Sequence, residues 1–182
     1  MAPVDELHKY GFKLIGNFWE LYRRDIPEEP GLYAFVACGP IKSVDWEISK
    51  IIGLNHTYNI FHRKGFIDDC DALTNDILYI GRAQKTNLRI RLDNYRSKGK
   101  KGLPYTTPND YREHGGTWIL KSAWTQGVSV DVFVKCIPDV LVEIDGMPLD
   151  RLVGMEAALI RRLRPKANLE FGRKQAATVK RR

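Results

Sequence analysis

Two short apolar runs, Gly31 to Cys38 and Ile77 to Ala83, constrain the fold of this 182-residue chain more than any other feature. Each is shorter than an ordinary helix and rich in aromatic and β-branched side chains, the pattern of a strand buried in a sheet. The first is closed off by Pro30 on one side and Gly39-Pro40 on the other. In a strand, alternate side chains share a face, so Tyr33 groups with Phe35 and Ala37, and Tyr79 groups with Ile77 and Gly81. Paired antiparallel, the two strands would bring both phenols to one surface. Gly81 removes a side chain where the second strand leads into a basic segment, which would let another backbone or a phosphate approach closely.

The rest of the chain reads around these strands. Residues 5–24 have helical spacing (Leu7, Phe12, Leu14, Ile15, Phe18, Trp19, Tyr22), and Pro27-Glu28-Glu29-Pro30 ends it. Lys85 to Lys98 reads as a helix, Ser97 to Asp110 as a Gly/Lys/Pro-rich loop, and Tyr111 to Trp124 as a further helix. Val128 to Ile137 alternates valines with Ser129, Asp131, Phe133 and Lys135, a strand that Pro138 stops. Pro148 and Leu149 then open a last helix that runs to about Leu163. The expected class is α+β, an α/β sandwich with a small, mainly antiparallel three-stranded sheet flanked by helices. The chain is long enough for one core, so a single domain over 1–182 is expected. Its decorations would be an N-terminal helical extension at 1–30, insertions at 39–76 and 98–124, and a basic tail at 171–182.

Charge narrows the function. The net charge is +7, yet residues 82–102 carry eight Lys/Arg against Asp93, and residues 161–182 carry nine against Glu170. The remainder of the chain is therefore net acidic. Positive charge focused on two segments suits a polyanion. No apolar run approaches the roughly 20 residues needed to cross a bilayer, and no signal-peptide core opens the chain, so a cytoplasmic protein without a membrane partner is expected. Cys38, Cys70 and Cys136 are few, odd in number and widely spaced, which predicts buried free thiols. His56, His62 and Cys70 have no compact zinc spacing.

Two charged residues fall on apolar stripes. In the last helix Leu149, Leu152, Val153, Leu159, Ile160 and Leu163 mark one face, and Glu156 completes it. A carboxylate so placed needs a cation, a metal or strong hydrogen bonds. In Lys85 to Lys98 the stripe is Leu88, Leu92 and Tyr95, with Arg91 inside it, while Arg89 and Arg96 diverge toward solvent or phosphate.

Taken in order, these segments resemble the GIY-YIG nuclease family. Gly31-Leu32-Tyr33 resembles the first motif, and Tyr79-Ile80-Gly81-Arg82-Ala83 the second; Tyr58 lies in too polar a setting to replace Tyr33. Asn87 to Tyr95 resembles the catalytic helix, with Arg91 as its arginine. Met155-Glu156-Ala157-Ala158-Leu159-Ile160, followed by Arg164-Pro165-Lys166-Ala167-Asn168, is similar to the metal-binding glutamate and closing asparagine motifs. The resemblance implies hydrolysis of nucleic-acid phosphodiesters. Tyr33 would accept a proton from water, Arg91 would hold the scissile phosphate, and Glu156 would anchor Mg²⁺, for which Mn²⁺ could substitute. Tyr79, Tyr95 and Arg82 would position water or phosphate, Gly31 and Gly81 would support the strands, and Asn168 would brace the site. Lys85, Arg89, Arg96, Lys98, Lys100, Lys101, Arg164 and Lys166 would contact DNA.

A compact core with insertions is similar to a type II restriction endonuclease of that family, acting as a homodimer on a palindromic duplex site. The alternatives are a stand-alone structure-specific or non-specific nuclease, or a nucleic-acid-binding module without hydrolysis.

Overall fold

The structure, a computed structural model, describes residues 3–41, 77–95, 116, 120, 123–124, 126–165 and 168. Along the chain these form α1 (Pro3–Lys9), β1 (Lys13–Asn17), a 3-10 turn (Arg23–Asp25), β2 (Gly31–Ala37), β3 (Ile77–Ala83), α2 (Leu88–Asp93), β4 (Val130–Cys136), β5 (Leu141–Ile144), β6 (Met147–Asp150) and α3 (Arg151–Leu163). The architecture is α+β: an antiparallel sheet in the order β1-β4-β2-β3, helices packed on it, and a separate β5-β6 hairpin. Most of the 39–76 insertion, the loop from Ser97 to Asp110 and the basic tail lie outside the described residues, and so do Tyr58, His56, His62 and Cys70. Of the helix expected over Tyr111 to Trp124, the described residues Gly116, Leu120, Ala123 and Trp124 are helical.

Every residue of β2 is buried, because both faces of the sheet are covered. Tyr33, Phe35 and Ala37 share one side with Val130, Val132 and Val134, packed with Leu88, Leu92 and Tyr95 of the α2 segment and with Phe18, Leu120 and Ala123. Leu32, Ala34 and Val36 occupy the other side with Ile80, Phe133, Leu7 of α1, and Leu152, Leu159 and Ile160 of α3. A bulge between Phe35 and Val36 resets the β2/β3 register and turns Leu78 toward the α2 side.

The sheet has four strands where three were expected, because the N-terminal segment is not one helix. The first helix ends after Lys9 in a Schellman arrangement: Gly11 takes φ +78°, its N–H bonds the His8 carbonyl at 2.9 Å, and Phe12 N–H bonds the Leu7 carbonyl at 3.1 Å. Leu7 and Phe12 then pack together in the core. The chain leaves as β1, which pairs antiparallel with β4. Glycine at a left-handed position outweighed the apolar spacing read as a helix.

A second boundary shifts at the last helix. Pro148 and Leu149 lie in β6, and α3 starts at Arg151, capped by Asp150, whose side chain accepts from Val153 N–H at 3.0 Å. Leu149 is consequently exposed and belongs to the hairpin rather than to the helical stripe. The cysteines also differ from expectation: Cys38 and Cys136 are exposed free thiols. Partial burial and then Asp131 push the Cys38 thiol up to about 11, so it stays protonated. Among the described residues no helix is long and apolar enough to cross a membrane.

Candidate active site

The β2/β3 register sets Tyr33 opposite Gly81 and Phe35 opposite Tyr79. This explains Gly81. A β-carbon there would run into the Tyr33 phenol and come within 2.8 Å of Tyr79 Cε1. The close approach that glycine permits is therefore that of a cross-strand tyrosine, not of a second backbone or a phosphate. Tyr33 and Tyr79 lie with ring centroids 6.1 Å apart, and Tyr95 meets Tyr33 edge-on at 5.8 Å.

The second strand delivers the chain into α2 through well-satisfied backbone groups. Asn87 caps the helix by accepting from Ile90 N–H at 2.8 Å. The orphan N–H groups of Leu88 and Arg89 donate to the carbonyls of Glu29 and Pro27 at 2.9 and 3.0 Å. That docking fixes the face on which Leu88 and Leu92 are buried and directs Arg91 at the tyrosines. Its Nε donates to the Tyr33 hydroxyl oxygen at 3.3 Å, and its guanidinium lies 5.6 Å from the Tyr95 ring centre.

The two phenol oxygens of Tyr33 and Tyr95 are 2.6 Å apart. Burial, reinforced by Tyr33 and Tyr79, holds the Tyr95 phenol well above its ordinary value despite Arg91 nearby. Tyr95 thus stays protonated, and the hydroxyl pair can be donated from either ring, while the Tyr33 oxygen accepts from Arg91 Nε–H. Burial works against the Arg91 charge, but Tyr33, Tyr95 and Tyr79 outweigh it and hold the guanidinium above its ordinary value. The cluster is closed in: Tyr33 has no exposed surface, and a β-carbon at Gly116 would lie 3.1 Å from Tyr95 Cε1 and 3.2 Å from Tyr79 Cδ1.

Glu156 enters from the opposite side of the sheet. It faces inward from α3 with 6% of its surface exposed, and the Arg82 guanidinium pairs with its Oε2. Arg82 is the residue after Gly81, so strand alternation turns it away from the tyrosines and toward α3. Arg82 Nε donates to Gln84 Oε1 at 3.2 Å, and Gln84 in turn donates to Asp150, the cap of α3. A polar chain therefore runs from the helix start through Gln84 and Arg82 to Glu156.

Asn168 ties this side to β3, the strand that carries Tyr79 and Gly81. Arg164 ends α3 in the left-handed region at φ 49°, and Pro165 prevents its continuation. Asn168 N–H donates to the Pro165 carbonyl at 3.3 Å. The Asn168 side chain then accepts from Ile80 N–H at 2.7 Å and donates to Ile80 carbonyl at 2.6 Å, satisfying both backbone groups of that residue on edge strand β3. Its neighbours are Tyr79 and Gly81.

Sequence reasoning thus named residues that the fold gathers in two groups, Tyr33, Tyr79, Tyr95 and Arg91 with Gly81 on one side, Arg82, Glu156 and Asn168 on the other. Gly31 sits where a β-carbon would strike the Lys135 carbonyl oxygen and lie 3.0 Å from Leu88. Arg89, expected at phosphate, instead holds α2 to the preceding loop through Glu28, the Ile26 carbonyl at 2.9 Å and the Arg24 carbonyl at 3.4 Å. Lys85 and Arg164 are exposed; Arg96, Lys98, Lys100, Lys101 and Lys166 lie outside the described residues. Gln84, Asp150 and Gly116 were missed. Asp150 carried a readable signal, an acidic cap just before an apolar helical stripe; Gln84 and Gly116 carried none.

Glu156 offers the hard oxygen that magnesium takes, and Mg²⁺ is commonly held by one or two carboxylates with water and substrate phosphate completing its shell. The Arg82 guanidinium already stands there as a positive charge. The residues fit a cation at Glu156, provided Arg82 yields or shares the carboxylate. Among the described residues no group of three or more His, Cys, Asp or Glu is placed to hold a metal ion. Comparison with protein-family models, curated proteins and solved structures found no match to this chain.

Proposed function

We propose that the chain is a metal-dependent endonuclease of GIY-YIG type that hydrolyses phosphodiester bonds in double-stranded DNA at a specific site. The observation that carries this reading is the Tyr33 oxygen held between the Tyr95 hydroxyl and the Arg91 guanidinium. A guanidinium donating to a phenol oxygen favours the phenolate and so suits a group that must take a proton from water, and the same arginine suits the phosphate that water attacks. Arg91 would hold the scissile phosphate and stabilise charge developing on its oxygens. Tyr95, kept protonated by burial, would hold Tyr33 in place. Bound at Glu156, Mg²⁺ would neutralise phosphoryl and leaving-group oxygens. Asn168 would keep β3 aligned so that Tyr79 and Gly81 stay opposite β2.

The focused charge at 82–102 and 161–182 supports a polyanionic partner, which this reading takes to be duplex DNA. A homodimer on a palindromic site extends the same reading, since one centre cuts one strand and a two-fold protein places a centre on each.

Two observations favour a second reading, a binding module without hydrolysis: Tyr33 is fully covered and Glu156 is already ion-paired. Incubating the full chain with plasmid DNA and Mg²⁺, then sequencing the ends, separates the two. Discrete ends support the restriction-enzyme reading and random ends a non-specific nuclease; binding without any cut selects the module.

A further inference from the structure

A buried carboxylate must keep a positive partner, and Glu156 has Arg82. The contact is one-armed: a single guanidinium nitrogen reaches Glu156 Oε2, while Nε is turned to Gln84. The Arg82 side chain is 33% exposed and springs from the edge strand of the sheet. An arginine so placed is open to a better ligand. A phosphate diester takes the guanidinium fork through two parallel hydrogen bonds and carries full charge, whereas Glu156 takes one arm. Once Arg82 turns to phosphate, Glu156 is a buried carboxylate without a cation, which raises its affinity for one. A dication and a guanidinium on the same oxygen would repel each other.

We propose that Arg82 and a divalent ion are alternative partners of Glu156, and that nucleic-acid phosphate draws Arg82 away so that the carboxylate takes the ion only when the polyanion is bound. The inference rests on the nuclease reading and adds to it an order: phosphate first, metal second. Gln84, held by Asp150 at the start of α3, keeps Arg82 within reach of both partners. By linkage, the polyanion and the ion must then strengthen one another by the same factor.

The test is Mn²⁺ binding to the full chain, read from loss of the free-ion electron paramagnetic resonance signal, with and without sonicated random-sequence duplex. Glu156→Gln serves as the reference for ions held elsewhere, including on the DNA. The expected result is little Glu156-dependent binding by the free protein and a rise in affinity of about fivefold or more with duplex. Arg82→Gln should bind Mn²⁺ without duplex as tightly as the wild-type complex does, and duplex should add little. Arg82→Lys, which keeps a charge but not the fork, should show a smaller duplex effect than wild type, and answers the question if Arg82→Gln does not fold. Equal wild-type affinity with and without duplex, or an Arg82→Lys duplex effect as large as wild type, overturns the exchange while leaving Glu156 as the metal ligand. If Mn²⁺ binding in the duplex complex is the same for wild type and Glu156→Gln, the metal assignment itself falls, and the exchange with it.

Discussion

The two sides of the sheet hold their functional groups by different physics. On the α2 side, Tyr33, Tyr79 and Tyr95 are fixed by packing: ring contacts, a cross-strand glycine and a short hydroxyl pair, with Arg91 laid over them. On the α3 side, Glu156 is fixed by charge, through Arg82, Gln84 and the cap Asp150. Packing of this kind tolerates little rearrangement. A one-armed ion pair can exchange partners. Under the proposed function this contrast is a division of labour: the aromatic side would supply a rigid proton acceptor and phosphate grip, and the carboxylate side the replaceable cation.

Substitutions on each side test that division. Glu156→Gln should still bind duplex and lose Mg²⁺-dependent cleavage by about 10³-fold or more, since it removes the charge that attracts the ion; cleavage near wild-type rate would break the assignment of the α3 side. Arg91→Ala should lower turnover by about 10²-fold with a modest fall in affinity, because one phosphate contact among many is lost. Unfolding of that variant in thermal melts, instead of slow turnover, would make the α2 side a structural core only. Gly81→Ala should destabilise the fold by about 1–3 kcal/mol in denaturant titration, as its methyl group meets the Tyr33 ring that packing will not release.

The pH dependence of stability gives the smallest effect. Burial lifts Tyr95 above its ordinary value of 10.0, so the folded chain keeps a proton that the unfolded chain releases. The contribution is fully present below pH 10.0 and is lost as pH rises from there toward the folded value. Tyr95→Phe should flatten the decline in unfolding free energy above that pH, and an unchanged slope would show that Tyr95 is not held as described.

Much of the α2 side was legible in the sequence because strand alternation and helical spacing are local: they put Tyr33 with Phe35, Tyr79 with Gly81, and Arg91 on the stripe of Leu88, Leu92 and Tyr95, but Ile77, read on the face of Tyr79, lies on the other side because the bulge in the β2/β3 pairing breaks the alternation. The α3 side was legible only as a problem. The stripe around Glu156 announced a buried carboxylate, but its partner depended on which face β3 presents to α3, a tertiary fact, and the partner is Arg82. Asn168 was expected to brace the site, yet its means, a paired bond to both backbone groups of Ile80, rests on a left-handed Arg164 that no sequence pattern marked. The N-terminal segment misled for a different reason. Its apolar positions suit a helix by period, but Gly11 ends α1 and the following residues gain more from pairing with β4.

The central claim is that the two sides serve one reaction, and a double-substitution cycle on single-turnover cleavage of duplex DNA tests it most directly. Tyr33→Phe removes the proposed proton acceptor on one side and Glu156→Gln the proposed metal ligand on the other. Residues that act as one unit are strongly non-additive, so the double variant should be about as slow as the slower single variant. Penalties that multiply would contradict the account, as would a folded wild-type chain that cuts no duplex DNA with Mg²⁺.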